Sequence, residues 1–134
     1  MEKSDLTEII INRFFKVYNY LGFGFLEKVY QNALALELER AGLKVELQKD
    51  ILVYYQDSVV GAYVADIVVN DCIILELKAV EEFCDAHIRQ IKNYLKASRM
   101  EIGLLMNFGK KPEFKRCYYS NQNKAFTITE ESSV

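Results

Sequence analysis

The sequence contains no apolar run that approaches the roughly 20 residues needed to cross a bilayer. Its first residues, Met1-Glu2-Lys3-Ser4-Asp5, do not form a signal-peptide pattern, and internal repeats and low-complexity linkers are also missing. We therefore expect no membrane partner. We also expect residues 1–134 to form one domain, because a chain of this length builds a single core.

Cysteine and histidine are scarce. Cys72, Cys84 and Cys117 are odd in number and widely spaced, so neither a disulfide framework nor a CxxC zinc site is indicated. His87 is the single histidine and has no cysteine or carboxylate at ligand spacing. We interpret His87 as a packing residue, with the lining of a site as the alternative. This cysteine usage is typical of a reducing cytoplasm.

The chain also has no excess of positive charge. The formal net charge is −2, whereas strong non-specific binders of nucleic acid usually carry a basic balance. Any contact with nucleic acid therefore has to be local. A content of 51% hydrophobic and 27% charged residues is otherwise that of an ordinary soluble globular protein.

What the chain does contain is an apolar hairpin with charges inside it. Residues 65–78 hold two β-branched runs around the turn-forming pair Asn70-Asp71. Asp66, Glu76 and Lys78 lie within these runs. Because burying an unpaired charge costs several kcal/mol, such a set indicates a metal ion or a tightly paired site. The alternative is a surface hairpin whose charges only solvate one face.

Strand geometry sets a condition on this hairpin. Glu76 and Lys78 are two residues apart, so they face the same way. Asp66 lies opposite Glu76 only if the connection has three residues, Asn70-Asp71-Cys72, or contains a bulge. A two-residue turn would instead place Asp66 opposite Leu75.

Hydrophobic periodicity and turn residues predict eight elements. A capping-box-like pair, Asp5 and Glu8, begins a first helix that ends at Gly22. The other predicted elements are a helix over 26–41, strands over 45–55, 59–69 and 72–78, a helix over 81–99, a doubly buried strand over 102–108 and an edge strand over 114–119. We expect a frayed acidic tail over 125–134. The order ααβββαββ places helices against a mixed central sheet, an α/β fold class.

Outside the hairpin, Glu27 and a set of basic residues each allow two interpretations. Glu27 opens the second helix, where it either complements the helix dipole or points into the body of the domain. A basic set either follows a phosphate backbone or is only a solvated face. Its members are Arg89, Lys92, Lys96, Arg99, Lys110, Lys111, Lys115 and Arg116.

Three motifs make the chain resemble the bacterial GxxExxY proteins, a family within the PD-(D/E)XK nuclease superfamily. They are Gly24-Phe25-Leu26-Glu27-Lys28-Val29-Tyr30, Asp66 followed by Glu76-Leu77-Lys78, and Gln90-Ile91-Lys92-Asn93-Tyr94, which is similar to the QxxxY element of RecB-like nucleases. Ala65 stands where the superfamily name has proline. The resemblance covers roughly residues 5–119 and implies a restriction-endonuclease-like core.

The resemblance also implies a chemistry, the Mg²⁺-dependent or Mn²⁺-dependent hydrolysis of phosphodiester bonds in DNA. The implied metal ligands are Asp66, Glu76, the Leu77 carbonyl and Glu27, which are hard oxygen donors. Glu27 would reach the same ion or a second one. Lys78 would sit beside the attacking water, and the neutral Gln90 would orient a water or a phosphate. Tyr30 and Tyr94 would support these groups.

Two other classes of function stay open. The first is a catalytically silent nuclease fold that binds nucleic acid or a protein. The second is an oligomeric scaffold, because nine tyrosines and eight phenylalanines could cover interfaces. A homo-oligomer is also expected if both strands of a duplex are cut, since one small domain has a single site. The choice between single-stranded, branched or duplex DNA and RNA stays open.

Overall fold

The computed structural model describes residues 1–124, and the predicted element order ααβββαββ is confirmed within them. The elements are α1 (Lys3–Leu21), α2 (Glu27–Arg40), β1 (Val45–Tyr55), β2 (Ser58–Val69), β3 (Ile73–Lys78), α3 (Asp85–Lys96), β4 (Ile102–Phe108), β5 (Pro112–Tyr118) and the short 3₁₀ helix η1 (Asn121–Asn123). The acidic tail over 125–134 lies outside the described residues.

The strands form one sheet in the order β1-β2-β3-β4-β5. β3 and β4 run parallel, and the other neighbouring strands are antiparallel. Since parallel neighbours need a crossover connection, α3 links β3 to β4. The fold is therefore a mixed α/β fold with a flanked central sheet, consistent with a restriction-endonuclease-like core.

Helices cover both faces of the sheet. Leu75 and Leu77 of β3 pack into one core cluster with α1 and α2, whereas Ile74 packs into a second cluster with Ile91 and Leu95 of α3. Because side chains alternate along a strand, Glu76 and Lys78 lie on the α3 side with Ile74. The alternation of β3 therefore turns its two charged residues toward one helix.

The strand over 102–108 is buried on both faces, as predicted. Gly103 in this strand allows α3 to pack closely, since a Cβ atom there would lie 2.7 Å from Cδ1 of Ile91. A larger residue at this position would push α3 away from the sheet.

α3 is shorter at both ends than the predicted helix over 81–99. It begins after Cys84, whose backbone N–H donates to Nδ1 of His87 at 3.2 Å, so His87 caps the helix. At the other end the Ser98 hydroxyl donates to the Tyr94 carbonyl at 2.9 Å. Local hydrogen bonds thus set both ends.

None of the helices in residues 1–124 has the length and apolarity needed to cross a membrane. Cys72, Cys84 and Cys117 carry free thiols.

Candidate active site

The hairpin between β2 and β3 has the predicted three-residue connection, Asn70-Asp71-Cys72. Asn70 and Asp71 take left-handed conformations (φ 53° and 52°), and Cys72 N–H donates to the Val69 carbonyl at 2.9 Å. Short polar residues tolerate this conformation best among residues other than glycine. The resulting register pairs Val69 with Ile73 and Ile67 with Leu75, so Asp66 comes opposite Glu76.

The Asp66 and Glu76 carboxylates occupy the gap where the β2–β3 ladder ends. Asp66 N–H donates to Oε1 of Glu76 at 2.9 Å, and Leu77 N–H donates to Oδ2 of Asp66 at 2.8 Å. Side-chain oxygens thus take the place of carbonyl oxygens as acceptors for two strand amides. This exchange holds the two carboxylates side by side between the strands.

The other neighbour of Asp66 is also irregular. Gln48 of β1 lies opposite Asp66, between the pairs Leu47–Ile67 and Lys49–Ala65, and has a φ of 50°. A left-handed conformation costs a residue with a Cβ atom about 1–2 kcal/mol. Asp66 is therefore flanked by an interrupted ladder on both sides, and strain of this kind is concentrated at functional sites.

Glu76 is buried, with 2% of its surface exposed. Burial, and next the charge of Asp66, raise the pKa of Glu76 to about 8, although the Asp66 N–H and the Lys78 ammonium act in the opposite direction. Desolvation disfavours the charged carboxylate, and a nearby like charge adds to this effect. Without a further cation, the folded protein keeps Glu76 largely protonated at neutral pH.

A chain of hydrogen bonds joins Lys78 to α3. The Lys78 ammonium donates to Oε1 of Gln90 at 3.1 Å, and Nε2 of Gln90 donates to the Tyr94 hydroxyl at 3.0 Å. Burial and the charge of Glu76 raise the pKa of Tyr94 to about 12. Gln90 and Tyr94 lie one helical turn apart, so α3 presents both to the same end of β3.

A cleft of about 270 Å³ opens on the α2 side of Asp66. Its lining residues are Glu27, Lys28, Gln31, Gln48, Asp66 and Leu77. Glu27 is exposed and does not point into the body of the domain, which corrects that interpretation. The physical reason is its position as the first residue of α2, because the buried stripe of this helix starts at Tyr30. Glu27 and Asp66 nevertheless face the same cleft.

Gln31 and Gln48 also line the cleft, and neither was predicted as a site residue from the sequence. Gln31 is 4% exposed, and its Oε1 accepts a hydrogen bond from Nε2 of Gln48 at 2.6 Å. Nε2 of Gln31 is buried and has no hydrogen-bond partner among the described residues. The four-residue spacing from Glu27 to Gln31 would have placed both on one helix face. No sequence signal predicts the left-handed conformation of Gln48.

Tyr30 lies in the core rather than beside the carboxylates. Its hydroxyl donates to the Gly22 carbonyl at 2.5 Å and accepts from Phe25 N–H at 3.2 Å. Its ring stacks on Phe108 with 4.4 Å between centroids. Tyr30 therefore fixes the loop that leads into Glu27.

The predicted basic residues are all exposed, and α3 and β5 carry most of them. Burial raises the pKa of the Cys117 thiol, while Lys92 and Lys115 both act to lower it, so these two cations lie near the same sulfur. Lys96 lies over the ring of Tyr119, 5.4 Å from its centroid, and Lys110 is 3.9 Å from a Glu81 oxygen. The basic face of α3 thus continues onto β5.

The donor set suits a hard cation such as Mg²⁺ or Mn²⁺, since it consists of carboxylate and carbonyl oxygens. Glu76 and Asp66 place two carboxylates against each other with Lys78 as the nearby positive charge, so a divalent ion would relieve their repulsion. Within residues 1–124, no three side chains of His, Cys, Asp or Glu are grouped so that they could hold an ion together. The protein side chains would therefore supply two carboxylates at most to the inner shell of one ion.

Comparison with known proteins adds one match. The sequence model of a family described as the PD-(D/E)XK nuclease superfamily matches residues 4–117. This range runs from α1 into β5 and includes every candidate site residue. No curated protein and no solved structure matches the chain significantly.

Proposed function

Because the chain belongs to the PD-(D/E)XK nuclease superfamily, we propose that it is a metal-dependent nuclease that hydrolyses phosphodiester bonds in DNA. The observation that carries this proposal is the pair of carboxylates held across the β2–β3 gap, with Lys78 on the same strand as Glu76. We also propose that the chain is a member of the GxxExxY family, on the basis of Gly24, Glu27 and Tyr30. We further propose that residues 1–134 form one nuclease domain.

A divalent ion would be held by Asp66, Glu76 and the Leu77 carbonyl. Nucleases of this superfamily generally depend on such ions. When bound, the ion would polarise the scissile phosphate and lower the pKa of a water molecule. Glu27, on the opposite wall of the cleft, would orient water at the rim rather than complete a three-carboxylate set.

We assign Lys78 the role of stabilising the negative charge that develops on the phosphate during the reaction. Its ammonium is a compact positive charge that cannot serve as a metal ligand while protonated. Gln90 holds this ammonium through a neutral amide, and Tyr94 in turn holds Gln90. A preorganised donor of this kind stabilises a transition state because it needs no reorganisation during the reaction.

The basic face would bind the DNA backbone outside the cleft. Arg89, Lys92, Lys96 and Arg99 are exposed on or directly after α3, and Lys110 and Lys111 are exposed at the β4–β5 turn. Cations that neutralise phosphates give a local, salt-dependent affinity even when the net charge of the protein is negative. A homodimer would bring two sites to a duplex, one for each strand.

The test is a cleavage assay with purified protein, Mg²⁺ or Mn²⁺, and single-stranded, duplex and branched DNA together with RNA. We expect cleavage of at least one DNA form, with loss of cleavage in chelator and in Asp66→Asn. Lys16→Ala is the matched control, because Lys16 is exposed on α1 and pairs with Glu37 away from the cleft. If every substrate stays intact with both metals, a catalytically silent fold that binds nucleic acid or a protein replaces this proposal.

A further inference from the structure

A second cavity, of about 240 Å³, opens at the carboxyl ends of β3 and β4. We call it the aromatic cavity. Its three walls are the loop over 23–25, the segment over 79–81 after β3, and residues 108–110 at the β4–β5 turn. Val80 lies two residues after Lys78, so the Cα atoms of these residues are at most about 7 Å apart. The aromatic cavity therefore begins at the end of β3 next to Lys78, on the side of the sheet that α1 and α2 cover.

Buried polar side chains fix two of these walls. The Tyr30 hydroxyl binds both Gly22 and Phe25 of the first wall, as described above. Asn107 is fully buried, and its side chain binds both backbone groups of Val80, accepting from N–H at 3.0 Å and donating to the carbonyl at 2.8 Å. Such hydrogen bonds satisfy buried polar groups and hold the backbone in one arrangement.

A half-buried side chain, Tyr18, holds the third wall. The Tyr18 hydroxyl lies within hydrogen-bond distance of the carbonyl oxygens of Gly109 (2.7 Å) and Lys110 (2.8 Å). Gly109 packs against the second wall, since a Cβ atom there would lie only 2.0 Å from the Val80 carbonyl oxygen. The cavity is therefore built by the fold and is not an accidental gap between loose loops.

This rigid frame presents aromatic rings to solvent. Phe23 is 57% exposed and Phe25 is 47% exposed, so both rings leave apolar surface open to solvent at the cavity. The charges at the rim, Glu81 and Lys110, are opposite in sign and lie 3.9 Å apart. The walls are thus aromatic and nearly neutral, which suits the flat face of a heterocycle better than a phosphate group.

We infer that the aromatic cavity binds an unpaired nucleobase of the nucleotide next to the bond that is cut. This inference rests on the proposed function, which brings a nucleic-acid strand to the end of β3 that carries Lys78 and leads into the segment over 79–81. A base inside a duplex is stacked and paired, and extruding it costs free energy that an unpaired base does not cost. The preferred substrate is therefore single-stranded DNA, or DNA with an unpaired end or branch.

Because the chain has no tryptophan, Phe23→Trp creates a fluorescent reporter inside the cavity. The probes are a twelve-nucleotide single strand and a blunt hairpin duplex, both added in chelator so that neither is cut. We expect quenching of the tryptophan by the single strand and little quenching by the duplex. Tyr55→Trp is the matched control, since Tyr55 is 67% exposed at the far end of β1, and its emission should not respond.

Affinity provides a second measurement. Base–aromatic stacking is lost when the ring is removed, so Phe25→Ala should weaken binding of the single strand by about tenfold or more. Binding of the duplex should change by less than about twofold, and Tyr55→Ala should change neither affinity. Fluorescence anisotropy of labelled oligonucleotides measures both, and thermal melts establish that each variant is folded.

Three results would overturn the inference. The first is binding of the single strand without any change in Phe23→Trp emission. The second is emission that depends on protein concentration alone, which would make the cavity a contact between copies of the chain. The third is equal quenching by the blunt duplex. Cleavage without quenching removes only this inference. Quenching without cleavage in any metal supports binding of a base in the cavity but removes the nuclease proposal, and with it the position of that base beside a cut bond.

Discussion

Asp66 and Glu76 are joined by the backbone of the strands that carry them, since Asp66 N–H donates to Glu76 at 2.9 Å and Leu77 N–H donates to Asp66 at 2.8 Å. Each acid therefore has two tasks, to supply a carboxylate to a bound ion and to accept a strand amide. An acid-to-amide substitution keeps an oxygen for the second task and removes the charge needed for the first. Such substitutions separate electrostatics from folding.

The stability of the metal-free protein should fall as the pH rises from about 4.5 to about 8. The pKa of Glu76 is raised from its ordinary value of 4.5 to about 8, so in this range the unfolded chain has lost a proton that the folded protein still binds. The free energy of unfolding then decreases with pH, and Glu76 contributes no further slope above about pH 8. Thermal melts across pH 4–9 in chelator measure this effect.

Glu76→Gln should remove most of the decrease in the free energy of unfolding between pH 4.5 and pH 8. Relative to the parent, the variant should therefore gain about a few kcal/mol of stability at pH 8. The exposed Glu113 of β5 offers the matched control, and Glu113→Gln should leave the pH profile unchanged. A parent profile that rises with pH over this range would contradict the buried, protonated state of Glu76.

Binding of Mn²⁺ near pH 7 should release protons. A metal ligand has to be deprotonated, and Glu76 is largely protonated in the metal-free fold at this pH. Calorimetry in buffers with different ionisation enthalpies should give a release approaching one proton per ion at pH 7 and almost none at pH 9. In the same titration Asp66→Asn should show little binding, and Glu113→Gln should behave as the parent.

Lys78→Ala should lower kcat by about 10²–10³-fold, as expected when a preorganised group is removed from a developing charge. Gln90→Ala should have a smaller effect of about tenfold, because Lys78 remains but loses the amide that holds it. Affinity for Mn²⁺ should not decrease in either variant, and Lys16→Ala should match the parent. A large loss of Mn²⁺ affinity in Lys78→Ala would instead show that Lys78 maintains the structure of the metal site.

Gln31→Met should raise the melting temperature. The unpartnered buried N–H of Gln31 costs about 1–3 kcal/mol, and methionine fills a similar volume without a polar donor. Gln48, which loses its partner, is exposed and can bind water. Asn32→Met, on the exposed side of the same helix, is the control for added apolar volume. A destabilised Gln31→Met would show that the amide pair serves the fold.

The central hairpin was predictable because burial makes charge expensive. Two acids and a lysine in an apolar run predicted a site. Strand alternation then required a three-residue connection or a bulge, and the structure contains the three-residue connection. The bounds of β1 and β4 were also predictable, since β-branched runs and turn residues define both ends. These features depend on neighbours in sequence.

The remaining features depend on contacts between distant segments. The exposure of Glu27 follows from where α2 meets the sheet, and the start of α3 follows from a Cys84–His87 cap outside the usual cap residues. The aromatic cavity joins segments near residues 24, 80 and 109, so no local pattern predicts it. The pairing of Gln31 with Gln48 likewise appears only in three dimensions.

The β1–β2 ribbon extends beyond the sheet, because β2 pairs with β3 only over residues 67–69 but pairs with β1 as far as Ser58. We therefore expect amide hydrogens near the ribbon tip to exchange with solvent through local fraying, and those of β3 and β4 to exchange only when the sheet opens. Asp66 lies at the boundary between these two cooperative units. Its carboxylate neighbour Glu76 lies on β3, and Gln48 across from it belongs to the β1–β2 ribbon. We therefore expect the amides on the two sides of Asp66 to exchange at different rates.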